Sequence, residues 1–434
     1  MATQSDGHKR PGLYARLSVP GASVTHHQRW SSVDALRAIA ALMVLASHAP
    51  LLGPSQPAGL ARYTTRLGVG VWIFFAASGY LIAGPFLRAL LEGKPLPPAG
   101  RYALRRAVRI LPAYWIALTV ILLLATGSAL AHWWQLPVHA LLLQGLVPGE
   151  LKSFYLVAWS LGVEAIFYVL VPLGAAAIRR RRGGGPVPLD RLVAGVIGLW
   201  SVAIALSLTL AVAFPLHPGR ALPGGVQVLN LAGSLANFCP GMLVFLALAS
   251  RDDQPSRWRR RYEAVSSRPL PTLALAALLF AAATEFHFQT SQLATAAQGP
   301  LLGIASGLVL ATFVQGEWTR SLARVLAPVG LISYGVYLWH WVILSALGHH
   351  HITILGASSG ITAAIARLVI LMALTLPVAL VSWLALERPL LRRTADWERR
   401  STARSAAKPR RAELADARPL TGGGPAPLPA SPQP

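Results

Sequence analysis

Read from its first residue, the chain alternates between long apolar runs and short, strongly basic stretches. A run of about 18 residues or more can cross a bilayer as a helix, which rises 1.5 Å per residue. Such runs fall at 35–53, 68–87, 110–128, 154–178, 192–214, 226–250, 269–286, 294–315, 327–347 and 360–386. The pattern predicts an all-α, polytopic membrane protein with about ten transmembrane helices. A further stretch, HWWQLPVHALLLQGL at 132–146, is short and opens on His132, Trp133 and Trp134. It is expected to lie in the membrane interface or to re-enter, and not to cross.

Charge tests that count, because one span more or fewer would reverse the side of every later loop. With ten spans, 34 of the 39 lysines and arginines fall on one side. The opposite loops hold Arg62, Arg66, Lys152 and Arg220, and Arg367 falls inside the last span. Both termini are therefore expected in the cytoplasm. Crossing at 132–146 would put the Arg179–Arg182 cluster outside, which argues against it. Histidines distribute the other way: His132, His139, His217, His287 and His349–His351 map to the outer side.

Composition agrees, with 54% hydrophobic and 13% charged residues among 434 and a mean hydropathy of +0.51. In a soluble protein the net charge of +23 would suggest nucleic acid; here the basic residues punctuate membrane runs, so no nucleic-acid partner is expected. Cys239 is the single cysteine, which rules out an intramolecular disulfide and a cysteine-based metal site. Three adjacent histidines at 349–351 do not converge on one ion, so no metal is expected. Residues 1–30 are polar, without the apolar core of a cleavable signal peptide, and read as a cytoplasmic tail. The membrane domain is expected over 31–393. Residues 394–434, rich in Arg, Ala, Pro and Gly, read as a disordered tail with no appended soluble domain.

Few ionisable residues fall within the spans: His48, Glu164, His340 and Arg367, with Asp34 and Arg37 at the inner edge. Embedded charges are costly and invite a functional reading. Arg37 and His48 are eleven residues apart, which returns a helix to nearly the same face about 16 Å further along. A neutral histidine in a partly dry site can serve as a general base near neutral pH. Arg37 could equally be an interfacial anchor, and His48 a hydrogen-bonded link between helices. Glu164 could orient a histidine or a substrate hydroxyl, or tie helices together as a buried acid. His340, between Trp339 and Trp341, fits a helix interface, and its helix need not adjoin that of His48. Arg105, Arg106 and Arg109 share a helical face by their i,i+3 and i,i+4 spacings, and arginine forks suit phosphate. The bland reading of that cluster is topology and lipid headgroup contact.

Six segments in order resemble the acyltransferase 3 family of integral membrane acyltransferases: DALRAIAALMVLASH (34–48), FFAASGYLI (74–82), RRAVRILPAYW (105–115), WSLGVEAIFYVLVPL (159–173), ISYGVYLWHW (332–341) and ERPL (387–390). The resemblance implies a ten-span core with cytoplasmic termini. It also implies transfer of an acyl group, often acetyl, from acyl-CoA on the cytosolic side to a hydroxyl acceptor. By it, His48 matches the essential histidine, Arg37 its partner, Arg106 and Arg109 the donor-binding pair with Arg105 beside them, and Glu164 the acidic position. Trp159, Ser160, Tyr334 and His340, from the same motifs, are candidate substrate-binding residues. The sequence departs from the family pattern at Ala35, Gly162 and Ala165, the last standing where a second acid is common. An esterase-like domain that some members carry after the membrane core is not seen here.

The expected function is thus an integral membrane O-acyltransferase of a bacterial inner membrane, with acetyl-CoA as co-substrate. Its acceptor would be a carbohydrate, a lipid-linked glycan or a secondary metabolite. A transporter or flippase for such a substrate is the alternative, since embedded His and Glu suit proton coupling, and a polysaccharide-assembly scaffold is a third. Sequence leaves open the oligomeric state and the choice between an acyl-histidine and direct transfer.

Overall fold

The computed structural model describes residues 14, 17–18, 24–53, 64–124, 132–147, 150, 155–213, 231–249, 256–285, 292–315, 318–350, 352–354 and 360–401. Most of the expected terminal tails, and Arg62, Lys152, His217, Arg220, His287 and His351, lie outside the described residues.

Helix α1 (Val24–His48) ends in a 3-10 turn, Ala49–Leu52. A second such turn, Thr65–Val69, leads into α2 (Gly70–Glu92), followed by α3 (Ala99–Leu124) and the short α4 (Gln135–Ala140). Next come α5 (Ala158–Arg181), α6 (Leu189–Ala213), α7 (Cys239–Leu248), α8 (Arg257–Ser266) and α9 (Pro269–Glu285). The chain closes with α10 (Gln292–Gln315), α11 (Thr319–Leu331), α12 (Ser333–His349) and α13 (Ile361–Ser382). A π turn at Trp383–Glu387 carries α13 on as helix to Ser401.

Eight helical segments are long and apolar enough to cross a membrane; the bent pairs α8–α9 and α11–α12, at 87° and 56°, make ten if each is one span. These follow the ten apolar runs in order, and the multi-pass helical architecture is as expected. At 132–146 the described backbone forms only the six-residue α4 and turns, too short to cross.

Three differences have physical causes. The run at 327–347 is not one straight span: the helix breaks at Ile332 with a 56° bend, between Gly330 and Ser333, residues of weak helix propensity. The 87° bend follows from Pro269, since the residue before a proline disfavours helical backbone, while Ser256 caps α8 by accepting from the Arg259 N–H at 3.1 Å. Residues 394–401, expected to begin the disordered tail, continue the last helix. They run on from α13 with Thr394 buried, and meet α3 through Arg105 to Glu398 at 2.7 Å and Arg101 to Ser401 at 3.4 Å.

Helix α1 packs against α2, α10, α11, α12 and α13, and its Leu36, Ala40, Val44 and Leu45 are buried. Close approach needs small residues. At Gly330 of α11 any Cβ would collide with the Asp34 carbonyl of α1, so glycine lets the two backbones meet. Outer helices leave Leu199 and Val202 of α6 and Val369 and Val381 of α13 exposed, as a lipid-facing surface requires. The central position of α1 fixes where both of its ends meet their neighbours.

Candidate active site

Two groups of polar residues sit along α1, one at its C-terminal end and one near its middle. At its C-terminal end, His48 is half-buried and meets α12. His340 places Nε2 3.2 Å from His48 Nδ1, and Trp341 lies edge-on to the His48 ring, with centroids 5.3 Å apart. His48 Nδ1 is also 3.0 Å from the Val44 carbonyl, and His340 Nδ1 is 3.1 Å from the Val336 carbonyl. A carbonyl only accepts, so these partners assign the proton to Nδ1 in both neutral rings. His340 Nε2 is then an acceptor, and the His48 Nδ1–H is shared between it and Val44. That leaves the lone pair of His48 on Nε2, the form a general base needs.

Eleven residues earlier on α1, Arg37 lines a cavity of ≈ 440 Å³ with Arg105, Arg106 and Arg109, and with Asp34, Glu164 and Glu398 among its acids. Its size is that of a small-ligand pocket. The arginines come from α1 and α3; the basic triad predicted to precede an apolar span lies within the helix itself. Arg37 and Asp34 are 3.5 Å apart, and Tyr14 donates to the second Asp34 oxygen at 2.8 Å. Burial and the Asp34 carboxylate raise the Tyr14 hydroxyl well above its ordinary value, which keeps it a donor. Arg106 stacks over Tyr102 and Tyr168, 5.9 and 5.6 Å from their centroids. Arg105 pairs with Glu398. The cavity thus offers planar cationic forks for an anion, balanced in part by carboxylates.

The residues predicted from sequence divide between these two places. Arg37, Arg105, Arg106, Arg109, Glu164 and Tyr334 line the cavity, whereas His48 and His340 form the imidazole pair. Glu164, expected to orient a histidine or a substrate hydroxyl or to tie helices together, accepts from Ser78 at 2.6 Å, which links α2 to α5 on the arginine side. Its physical surroundings explain this, since the cavity arginines supply the positive field a buried carboxylate needs. Tyr334 donates to the Ile110 carbonyl at 2.8 Å. Ser160 lies 2.8 Å from the Tyr337 hydroxyl, and the Tyr337 ring is 5.8 Å from that of His340, so Ser160 adjoins the pair through Tyr337. Trp159 packs against Trp72 and Phe75.

Sequence reasoning passed over Ser78, Tyr168, Trp341 and Glu398. Ser78 stands in FFAASGYLI and Tyr168 one helical turn after Glu164, so both had a local signal; Glu398, in a polar stretch, had none. Among the described residues, no group of His, Cys, Asp and Glu is arranged to hold a metal ion.

The family model for an acyltransferase domain matches residues 30–384, which takes in Arg37, the imidazole pair and the arginine triad. The chain belongs to this acyltransferase family. The acyltransferase is 26% identical over 387 residues to the peptidoglycan O-acetyltransferase OatA of Listeria monocytogenes, covering 78% of this chain and 51% of that protein. It is 25% identical over 333 residues to BcsY of Komagataeibacter xylinus, named a membrane-bound transacylase, covering 72% of each. The chain therefore spans about half the length of the first of these relatives. No solved structure matches it.

Proposed function

We propose that this acyltransferase moves an acyl group, acetyl in the first instance, from acyl-CoA to a hydroxyl of a carbohydrate, lipid-linked glycan or secondary metabolite. The observation that carries the proposal is the division of α1 between Arg37, in a cavity with Arg105, Arg106 and Arg109, and His48, paired with His340. The phosphates of the donor rest on the arginines, and the pantetheine arm runs along α1 toward His48, about 16 Å away by helical rise. His48 Nε2 takes the acceptor's hydroxyl proton as that oxygen attacks the thioester carbonyl. The C–S bond breaks, and the departing thiolate receives the proton from His48.

The basic loops favour cytoplasmic termini, with the arginine cavity facing the cytosol and His48 toward the outer leaflet, and the bacterial relatives favour a bacterial inner membrane. The peptidoglycan acetyltransferase relative favours a glycan acceptor. The test is purified protein in proteoliposomes, given radiolabelled acetyl-CoA and peptidoglycan fragments. Label is expected in ester linkage to the glycan, and lost with His48→Ala. Movement of glycan across the vesicle without thioester cleavage would contradict the reading.

A further inference from the structure

Arg367 takes no part in that transfer, yet it is a buried cation on the second turn of α13, 6% exposed. Its surroundings lead back to His48. The Arg367 Nε–H donates to the Ile354 carbonyl at 3.1 Å, and the Ile354 N–H donates to the Leu52 carbonyl at 2.9 Å. Leu52 closes the 3-10 turn that begins directly after His48. The guanidinium itself lies against Gly53, where a Cβ would stand 2.6 Å from Nη1. Only glycine admits so close an approach without displacing the arginine. Around this polar chain Ala49, Leu52 and Leu371 form one apolar cluster, with Ile354 and Leu368 packed on it.

The turn needs such support. Its far end is closed by a single backbone bond, the Gly53 N–H to the Pro50 carbonyl at 3.0 Å, and helix ends fray. Fraying there would release the Val44 carbonyl from His48 Nδ1, which is the contact that fixes the tautomer and the ring. Arginine suits the task because its planar fork donates in a fixed direction while its stem packs in apolar surroundings.

We propose that Arg367 is a positioning residue for His48, clasping the Ala49–Gly53 turn through Ile354 and Gly53 so that the imidazole is held at the end of α1. The proposal rests on His48 being the base of the transfer reaction, and its test separates the two claims. The full chain is purified as wild type, Arg367→Met, Arg367→Lys, Gly53→Ala and the Arg367→Met/Gly53→Ala double variant. Transfer kinetics are measured beside the rate at which diethyl pyrocarbonate modifies His48, read by peptide mass spectrometry.

Arg367→Met and Gly53→Ala are each expected to lower kcat about tenfold or more, with both KM values within about twofold, because an ångström of misplacement suffices. Both should shift the His48 modification rate by about threefold or more, Arg367→Lys should recover part of kcat, and the double variant should be no worse than the poorer single one. Unchanged modification of His48, additive losses, or a rise in KM alone would overturn the clasp. If Arg367→Met does not fold, Gly53→Ala decides, since it removes no charge and only displaces the guanidinium. Full activity in His48→Ala would instead refute the base, while His48 modification would still judge the clasp.

Discussion

Each nitrogen of His48 has a separate task. Nδ1 is committed to Val44 and His340, and in the proposed transfer Nε2 takes the acceptor's proton. His340 cannot donate to His48 while its own Nδ1 proton is held by Val336, so it acts as a fixed acceptor that orients the partner ring. Replacing it with phenylalanine keeps an aromatic ring but removes the acceptor. His340→Phe is expected to lower kcat about tenfold with little change in the KM for acyl-CoA, measured by thioester cleavage. At this scale, sequence carried whatever a single helix encodes. Arg37 with His48, and Arg106 with Arg109, follow from rise and turn along one segment. The imidazole pair joins residues 292 positions apart, and no local pattern reports that. Glu164 was legible as an embedded acid, but its partner Ser78 on α2 was not, and its place with the arginines emerged only from packing.

Among elements, the last helix shows how helix can propagate past an apolar run. Its end, DWERR at 396–400, has no apolar period, and sequence assigned it to a tail. The helix propagates through the π turn, and Glu398 then meets Arg105 at the mouth of the cavity. Arg105 is 59% exposed at its side chain, so the pair is screened and weak. An anionic donor must compete with it. Glu398→Gln is expected to lower the KM for acyl-CoA about two- to fivefold, the range of an exposed ion pair, with kcat unchanged. A raised KM would mean that Glu398 helps to build the site. The apolar runs themselves were legible because hydrocarbon thickness sets their length. The break at Ile332 was not, because hydropathy is blind to a change of helix direction within one run.

For the whole molecule, charge and packing point to one orientation. The arginine cavity falls among the basic loops, and the sequence expectation puts Trp133, 84% exposed, on the opposite side. In a Cys239→Ala background, a membrane-impermeant thiol reagent is expected to label Arg181→Cys only from the cytoplasmic side and Trp133→Cys only from the outside. Labelling of both from one side would undo the span count. In the proposed transfer the acyl group enters from the cytosol and leaves near the outer leaflet, with donor binding at Arg37 and chemistry at His48, eleven residues further along α1. The most direct measurement is therefore steady-state acetyl transfer by the purified enzyme, comparing His48→Ala with Arg106→Gln/Arg109→Gln. His48→Ala should lose about 10²–10⁴-fold in kcat with donor binding retained, whereas the arginine variant should chiefly raise the KM for acetyl-CoA. Wild-type kcat in His48→Ala, or an unchanged donor KM in the arginine variant, would contradict the division of labour along α1.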